Sequence, residues 1–121
     1  MAKLNVVSAI NQALDQEMAR NERIVVLGED VGREGGVFRV TEGLQEKYGI
    51  QRVMDTPLAE SGIIGTALGL AVGGMLPVAE IQFEGFLYVA LDQLCNQVGR
   101  YRTRSRGRYN LGLVVRVPLE F

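Results

Sequence analysis

A single carboxylate, Glu60, stands at the entrance to a long apolar run in "DTPLAESGIIGTALGLAVGG", residues 55–74. Its neighbours Leu58, Ile63 and Ile64 are all apolar. An acid in the first turn of a helix is favoured by the helix dipole and needs no function to explain it. An acid enclosed by apolar groups at the end of a buried strand is also the kind of group that shares a proton with a ligand. Both readings fit Glu60. Behind it, Gly62, Gly65, Gly69 and Gly73 follow at spacings of three and four, which makes one stripe along a helix. Each glycine costs about 1 kcal/mol relative to alanine in a helix interior. Close approach of another backbone must offset that cost, either within the domain or from the helix of a partner subunit.

Three other stretches hold chemistry-bearing residues. "GREGG" (32–36) is a glycine-rich loop, but it lacks both the G-x-G-x-x-G spacing and the Walker lysine. A mobile or interface loop fits better than a phosphate cradle. "RYRTRSRGRY" (100–109) interleaves five arginines with two tyrosines, a pattern that suits RNA or DNA. The net charge of −1 and the acids elsewhere favour a solvated or partner-facing basic stretch instead. Cys95 is the only cysteine, so no internal disulfide can form; it reads as a small packing residue in a protein of a reducing compartment. Histidine is absent, which rules out a Ser-His-Asp site or a histidine-rich zinc site built from this chain alone. No metal site is expected on it.

The elements that must position these residues alternate in period. Val6 to Arg20 reads as an amphipathic helix with Val6, Ile10, Ala13, Leu14 and Met18 on one stripe. "RIVVLGED" is a short apolar run, the pattern of a strand buried on both faces. A short helix in "VTEGLQEKYG", a strand in "QRVMDTP", the glycine-striped helix from about Ser61 to Gly74 and a strand in "LPVAEIQF" follow. "GFLYVALDQLCNQVGRYR" reads as one helix and "LGLVVRVP" as a fourth strand. Alternation of this kind predicts an α/β fold, a parallel sheet covered by helices on both faces. Sites in such sheets gather beyond the carboxyl ends of the strands. "GED", "DTPLAE" and "EIQFEGF" all fall there, so three acid-bearing segments meet at one rim.

Length and composition allow one domain over residues 1–121, with 47% hydrophobic and 22% charged residues, an ordinary globular balance. No segment reads as a signal peptide or a membrane span, so a cytoplasmic or organelle-matrix protein is expected. The last strand has no helix after it to cover Leu113, Val114, Val115 and Val117, and the fold is expected to be cut short there.

Taken together, "LGEDVG", "GGVFRVTEGLQEKYG", "RVMDTPLAESGIIGTALGLAVGG", "PVAEIQF" and "DQLCNQVGRYRTRS" resemble, in order and spacing, one family. It is the β subunit of the E1 component of 2-oxo acid dehydrogenase complexes, acting on pyruvate or branched-chain 2-oxo acids. The resemblance covers residues 4 to about 118. It implies a thiamine diphosphate-binding fold of the pyrimidine-recognising type. Glu60 then takes the role of the glutamate that hydrogen-bonds N1′ of the aminopyrimidine, so that the ring's imino form can take the C2 proton. Leu58 matches the position lining the ring pocket, Phe86 the aromatic packed on the pyrimidine, and Glu29 an acid close to the cofactor. Glu60, Gly65 and Gly69 match a recurring E-x4-G-x3-G arrangement that packs helices across subunits, and Gly62 and Gly73 extend that interface stripe.

The implied partners are an α subunit holding the diphosphate and Mg2+, a second β subunit in an α2β2 assembly, and a lipoyl-bearing E2 component that accepts the acyl group. The chain departs from the family in lacking the later glycine- and histidine-rich segment, and in carrying "RTRSRGR" where a "RYRSGG"-like run is usual. The isolated chain is therefore expected to be inactive. A non-catalytic module that binds the α subunit is the alternative, and a nucleic-acid-binding protein using Arg100–Arg108 the less favoured one. The residues leave open whether the substrate is pyruvate, a branched-chain acid or acetoin.

Overall fold

The computed structural model describes residues 3–119. It contains α1 (Val6–Arg20), β1 (Ile24–Gly28), α2 (Leu44–Tyr48), β2 (Val53–Asp55), α3 (Glu60–Val72) and β3 (Leu76–Glu80). A 3-10 segment (Glu84–Ala90), a π-helical segment (Gln93–Val98), α4 (Gly99–Arg104) and β4 (Val114–Arg116) follow. The four strands pair in the order β2-β1-β3-β4, all parallel. The helix and strand alternation read from the sequence is the architecture found.

Period-two alternation along β1 feeds two cores, one on each face of the sheet. Leu27 and Ala79 point to the face covered by α3 and the 3-10 segment, where they pack with Ile63, Ile64, Ala67, Ile81 and Ala90. Val26 and Val53 point to the opposite face, where Met18 of α1 and Leu44 of α2 join them with Val31. β1 is thus buried on both sides, which is why its run is continuously apolar. α1 meets the sheet through Met18 and half-buried Leu14, while Val6 and Ala13 of the expected stripe are exposed. Val114 of β4 is exposed as well.

One element differs from expectation. The segment expected to be a single helix over 85–102 changes from 3-10 to π to α winding. The π turn is wider than an α turn. It lets Leu94 and Val98 both pack on the α3 core, and it places Gly99 where a Cβ would lie 3.2 Å from the Leu94 carbonyl oxygen. Cys95, expected to be a packing residue, is exposed on this segment.

Candidate functional site

The carboxyl ends of the strands carry a straight row. Registers align Asp55 of β2 with Gly28 of β1, Gly28 with Glu80 of β3, and Glu80 with Arg116 of β4. These residues share the α1/α2 face of the sheet by parity with Val26. One residue further, Glu29 belongs by the same alternation to the α3 face, where Glu60 opens the helix. Gly28 is required at the middle of the row, because a Cβ there would lie 2.7 Å from the Glu80 carbonyl oxygen and 2.9 Å from Val31.

Glu60 is the first residue of α3 and only 5% exposed. Ile63 and Ile64, one turn on, are buried beside it. No hydrogen bond to its carboxyl oxygens forms among the described residues. Glu29 lies close enough to feel it: burial, and then the charges of Glu60 and Asp30, push the Glu29 carboxyl above its ordinary value of 4.5. Ser61, the next residue of α3, donates its hydroxyl to the Val89 carbonyl at 2.8 Å and so ties the helix start to the 3-10 segment bearing Phe86. Leu58 and Phe86, the two expected ring-lining residues, are 77% and 44% exposed. The site is therefore a buried acid beside an open apolar surface. Two cavities of about 570 and 480 Å3 exist elsewhere, between α1 and the β4 edge, and Glu60 lines neither.

Several participants carried no local signal in the sequence. Gln82 donates to the Asp30 carboxylate at 3.1 Å, joining the ends of β1 and β3. Phe38, Phe83 and Phe86 form a chain of edge-on rings with centroids 5.8 Å apart at each step. Glu80, buried, forms an ion pair with Arg116. Burial pushes the Glu80 carboxyl up, and the guanidinium pulls it back only in part. The Thr56 hydroxyl, just past β2, is buried without a partner among the described residues. Glu80 and Arg116 end their strands, and Asp30, Thr56, Gln82 and Phe83 lie within three residues past one, which is the one clue the sequence offered.

The glycines of α3 resolve one alternative. Gly62, Gly65, Gly69 and Gly73 are all exposed, and a Cβ at Gly65 or Gly69 would meet nothing within 4 Å. Packing inside the domain does not explain the stripe. The "GREGG" loop is also explained: the Gly32 and Arg33 amides point at the Asp55 carboxylate, at 2.6 and 3.0 Å, so an internal acid occupies the place a phosphate would take. Among the described residues no cluster of acids, cysteines or histidines could hold a metal ion, and no helix is long and apolar enough to cross a membrane.

A buried acid and exposed apolar side chains at the end of a parallel sheet fit the recognition of a flat heterocycle. The family model described as "Transketolase, pyrimidine binding domain" matches residues 2–121. The chain belongs to that family. It is 54% identical over 118 residues to the pyruvate dehydrogenase E1 component subunit beta of Acholeplasma laidlawii, covering 98% of this chain and 36% of that protein. It is 56% identical over 115 residues to the 3-methyl-2-oxobutanoate dehydrogenase subunit beta of Mycobacterium tuberculosis, covering 95% and 33%. For the pyruvate dehydrogenase E1 component subunit beta of Bacillus subtilis the identity is 52% over 118 residues, covering 98% and 36%. The chain spans about a third of the length of these relatives. Two of the three act on pyruvate by name and one on a branched-chain acid, and their identities are nearly equal. The transketolase-type pyrimidine fold expected from the sequence is thus the fold present.

Proposed function

We propose that this chain supplies the pyrimidine-binding half of a thiamine diphosphate-dependent 2-oxo acid dehydrogenase E1, as its β subunit or part of it. The observation that carries the reading is Glu60: an acid only 5% exposed, at the rim of the sheet beside Ile63 and Ile64, without a hydrogen-bond partner among the described residues. A carboxyl left without an internal donor is free to take one, or to share a proton, from a ligand outside the chain. The aminopyrimidine N1′ of thiamine diphosphate is such a group. When bound, the cofactor supplies the acidic C2 carbon that attacks the 2-oxo group.

This chain's own contribution is to hold and orient. Glu60 keeps a proton between its carboxyl and N1′. Leu58 and Phe86 offer apolar surface to the ring, and Glu29, raised in the same sense as a shared-proton acid, stands beside Glu60. Water is excluded on one side by Ile63 and Ile64 and on the other by a partner. That partner is the α subunit, which holds the diphosphate and Mg2+, and the open glycine face of α3 receives a helix from another subunit in an α2β2 assembly. A lipoyl-bearing E2 component takes the acyl group, and the setting is cytoplasmic.

The exposed state of Leu58 and Phe86 supports a site completed by another chain. It equally supports a second reading, a module that binds α without turnover. Co-purification with an α subunit, followed by titration with thiamine diphosphate and Mg2+ and an assay on pyruvate and branched-chain 2-oxo acids, separates the two. Cofactor binding with turnover supports the E1 reading. Binding to α without cofactor uptake supports the module, and no binding to α contradicts both.

A further inference from the structure

The segment from Asp30 to Thr41 adopts a conformation it cannot hold for free. Asp30 (φ 55°) and Arg39 (φ 60°) are non-glycine residues in the left-handed region, and Gly35 and Gly36 join them there. A non-glycine residue in that region is strained, and such strain persists only where the surroundings over-determine it. Internal bonds close the loop on itself: Gly36 N–H donates to the Asp30 carbonyl at 2.7 Å, Thr41 N–H to the Gly35 carbonyl at 3.0 Å, and the Thr41 hydroxyl to the Val31 carbonyl at 2.7 Å. Gln82 holds the loop's start through Asp30 and Asn11 of α1 holds its end through the Val40 carbonyl, and among the described residues Asp55 is the one acid that grips its backbone amides. Its two carboxylate oxygens each accept one amide, Gly32 at 2.6 Å and Arg33 at 3.0 Å. The fit leaves no room for error, since a Cβ on Gly32 would lie 2.6 Å from an Asp55 oxygen and 2.1 Å from the Gln45 amide nitrogen.

The loop so held carries Phe38, whose ring meets Phe83, which in turn meets Phe86. We propose that Asp55 is a positioning residue of the candidate site, holding the 31–41 loop so that the Phe38–Phe83–Phe86 ring chain presents Phe86 in its fixed place. The proposal rests on the pyrimidine-site reading for its function, but the clamp itself does not. Asp55 acts from the α1/α2 face of the sheet, while Glu60 stands on the other.

Two kinds of measurement test this. On the chain itself, limited proteolysis with trypsin reads cleavage after Arg33 and Arg39, both exposed within the loop. Asp55→Ala removes two charge-assisted bonds and raises cleavage at these sites about tenfold or more, with Asp55→Asn, which keeps one acceptor, in between. Gly32→Ala leaves the carboxylate in the protein but forces it away, and gives the same cleavage pattern. Unchanged cleavage in both Asp55→Ala and Gly32→Ala, in chains that fold by circular dichroism, overturns the clamp. On the chain assembled with an α subunit, Asp55→Ala weakens thiamine diphosphate affinity more than Asp55→Asn does, in the same order as the proteolysis. A loosened loop with unchanged affinity overturns the positioning role and leaves a structural clamp. Failure of the pyrimidine-site reading looks different: wild-type protein itself takes up no cofactor, while the proteolysis series stays as described.

Discussion

α1 and α3 lie on opposite faces of one sheet and are built on opposite terms. α1 has an Asn5 cap whose side chain accepts the Ser8 amide at 2.8 Å, Arg20 in its last turn, and a charged outer surface. Its one buried residue is Met18. α3 has no side-chain cap, a single charged residue, and five buried positions, Glu60, Ile63, Ile64, Ala67 and Ala71. Its outer face is bare glycine. α1 is a capped helix held by one buried residue, with Val6 and Ala13 left exposed. α3 is stable only because one face is buried, and its other face is shaped for contact that the chain does not supply. The lesson is that a poor helix by local rules can be the best functional signal in a chain.

The difference can be broken at its strongest point first. Ile64 is fully buried on α3, so Ile64→Ala should lose about 2–5 kcal/mol of stability, whereas Ile10→Ala on half-buried α1 loses less than half of that. Urea unfolding of the two variants checks the ratio. Equal losses would mean that α1 carries as much of the core as α3.

Glycine substitution should invert the usual sign. Gly65→Ala with Gly69→Ala adds helix propensity where nothing lies within 4 Å, so the lone chain gains about 1–2 kcal/mol in total. The same pair, and Gly65→Leu more strongly, should abolish pairing with a partner subunit in size-exclusion runs with α. A stabilised chain that still assembles would show that the bare face is not the contact.

On α1 the cap should matter in the ordinary way. Asn5→Ala removes the acceptor for the Ser8 amide and lowers stability by about 1 kcal/mol in thermal unfolding. A cap residue introduced at Ala59 of α3 should give back little, since burial rather than capping holds that helix.

The smallest effect concerns pH. Folding lifts the Glu29 carboxyl above its ordinary value of 4.5, so the folded state binds that proton more tightly than the unfolded one. The stability this gives is full below pH 4.5 and is lost as pH rises through the higher folded value. Glu29→Gln should flatten that part of the stability–pH curve between the two values. A curve identical to the parent's would mean that folding does not raise the Glu29 carboxyl.

How far the sequence could be read follows the same division. The alternation of helix and strand, the burial of β1 on both faces and the apolar neighbours of Glu60 were legible because they depend on local pattern: an apolar run in β1, a 3.6-residue stripe in α1, a glycine stripe in α3. The outward direction of that stripe was not, since glycine costs the same in either direction and only neighbours decide. Asp55 gripping Gly32 and Arg33, Gln82 reaching Asp30 and Glu80 pairing with Arg116 join residues between 22 and 52 positions apart. Such pairs are set by which strands become neighbours, not by anything near either residue. The broken winding after Phe83 has no local mark for a related reason: it serves to place both Leu94 and Val98 on the α3 core, a contact set by the tertiary fold.

The account stands or falls on Glu60. The direct test is the rate of C2 proton exchange of thiamine diphosphate, followed by proton NMR in deuterated buffer, with the β chain assembled on its α partner. Glu60→Gln keeps the size and a hydrogen bond but cannot share a proton in the same way. The account predicts that exchange falls by about a hundredfold or more while the cofactor remains bound. Exchange within about twofold of the parent rate, far short of the loss expected on removing an acid–base group, would contradict it.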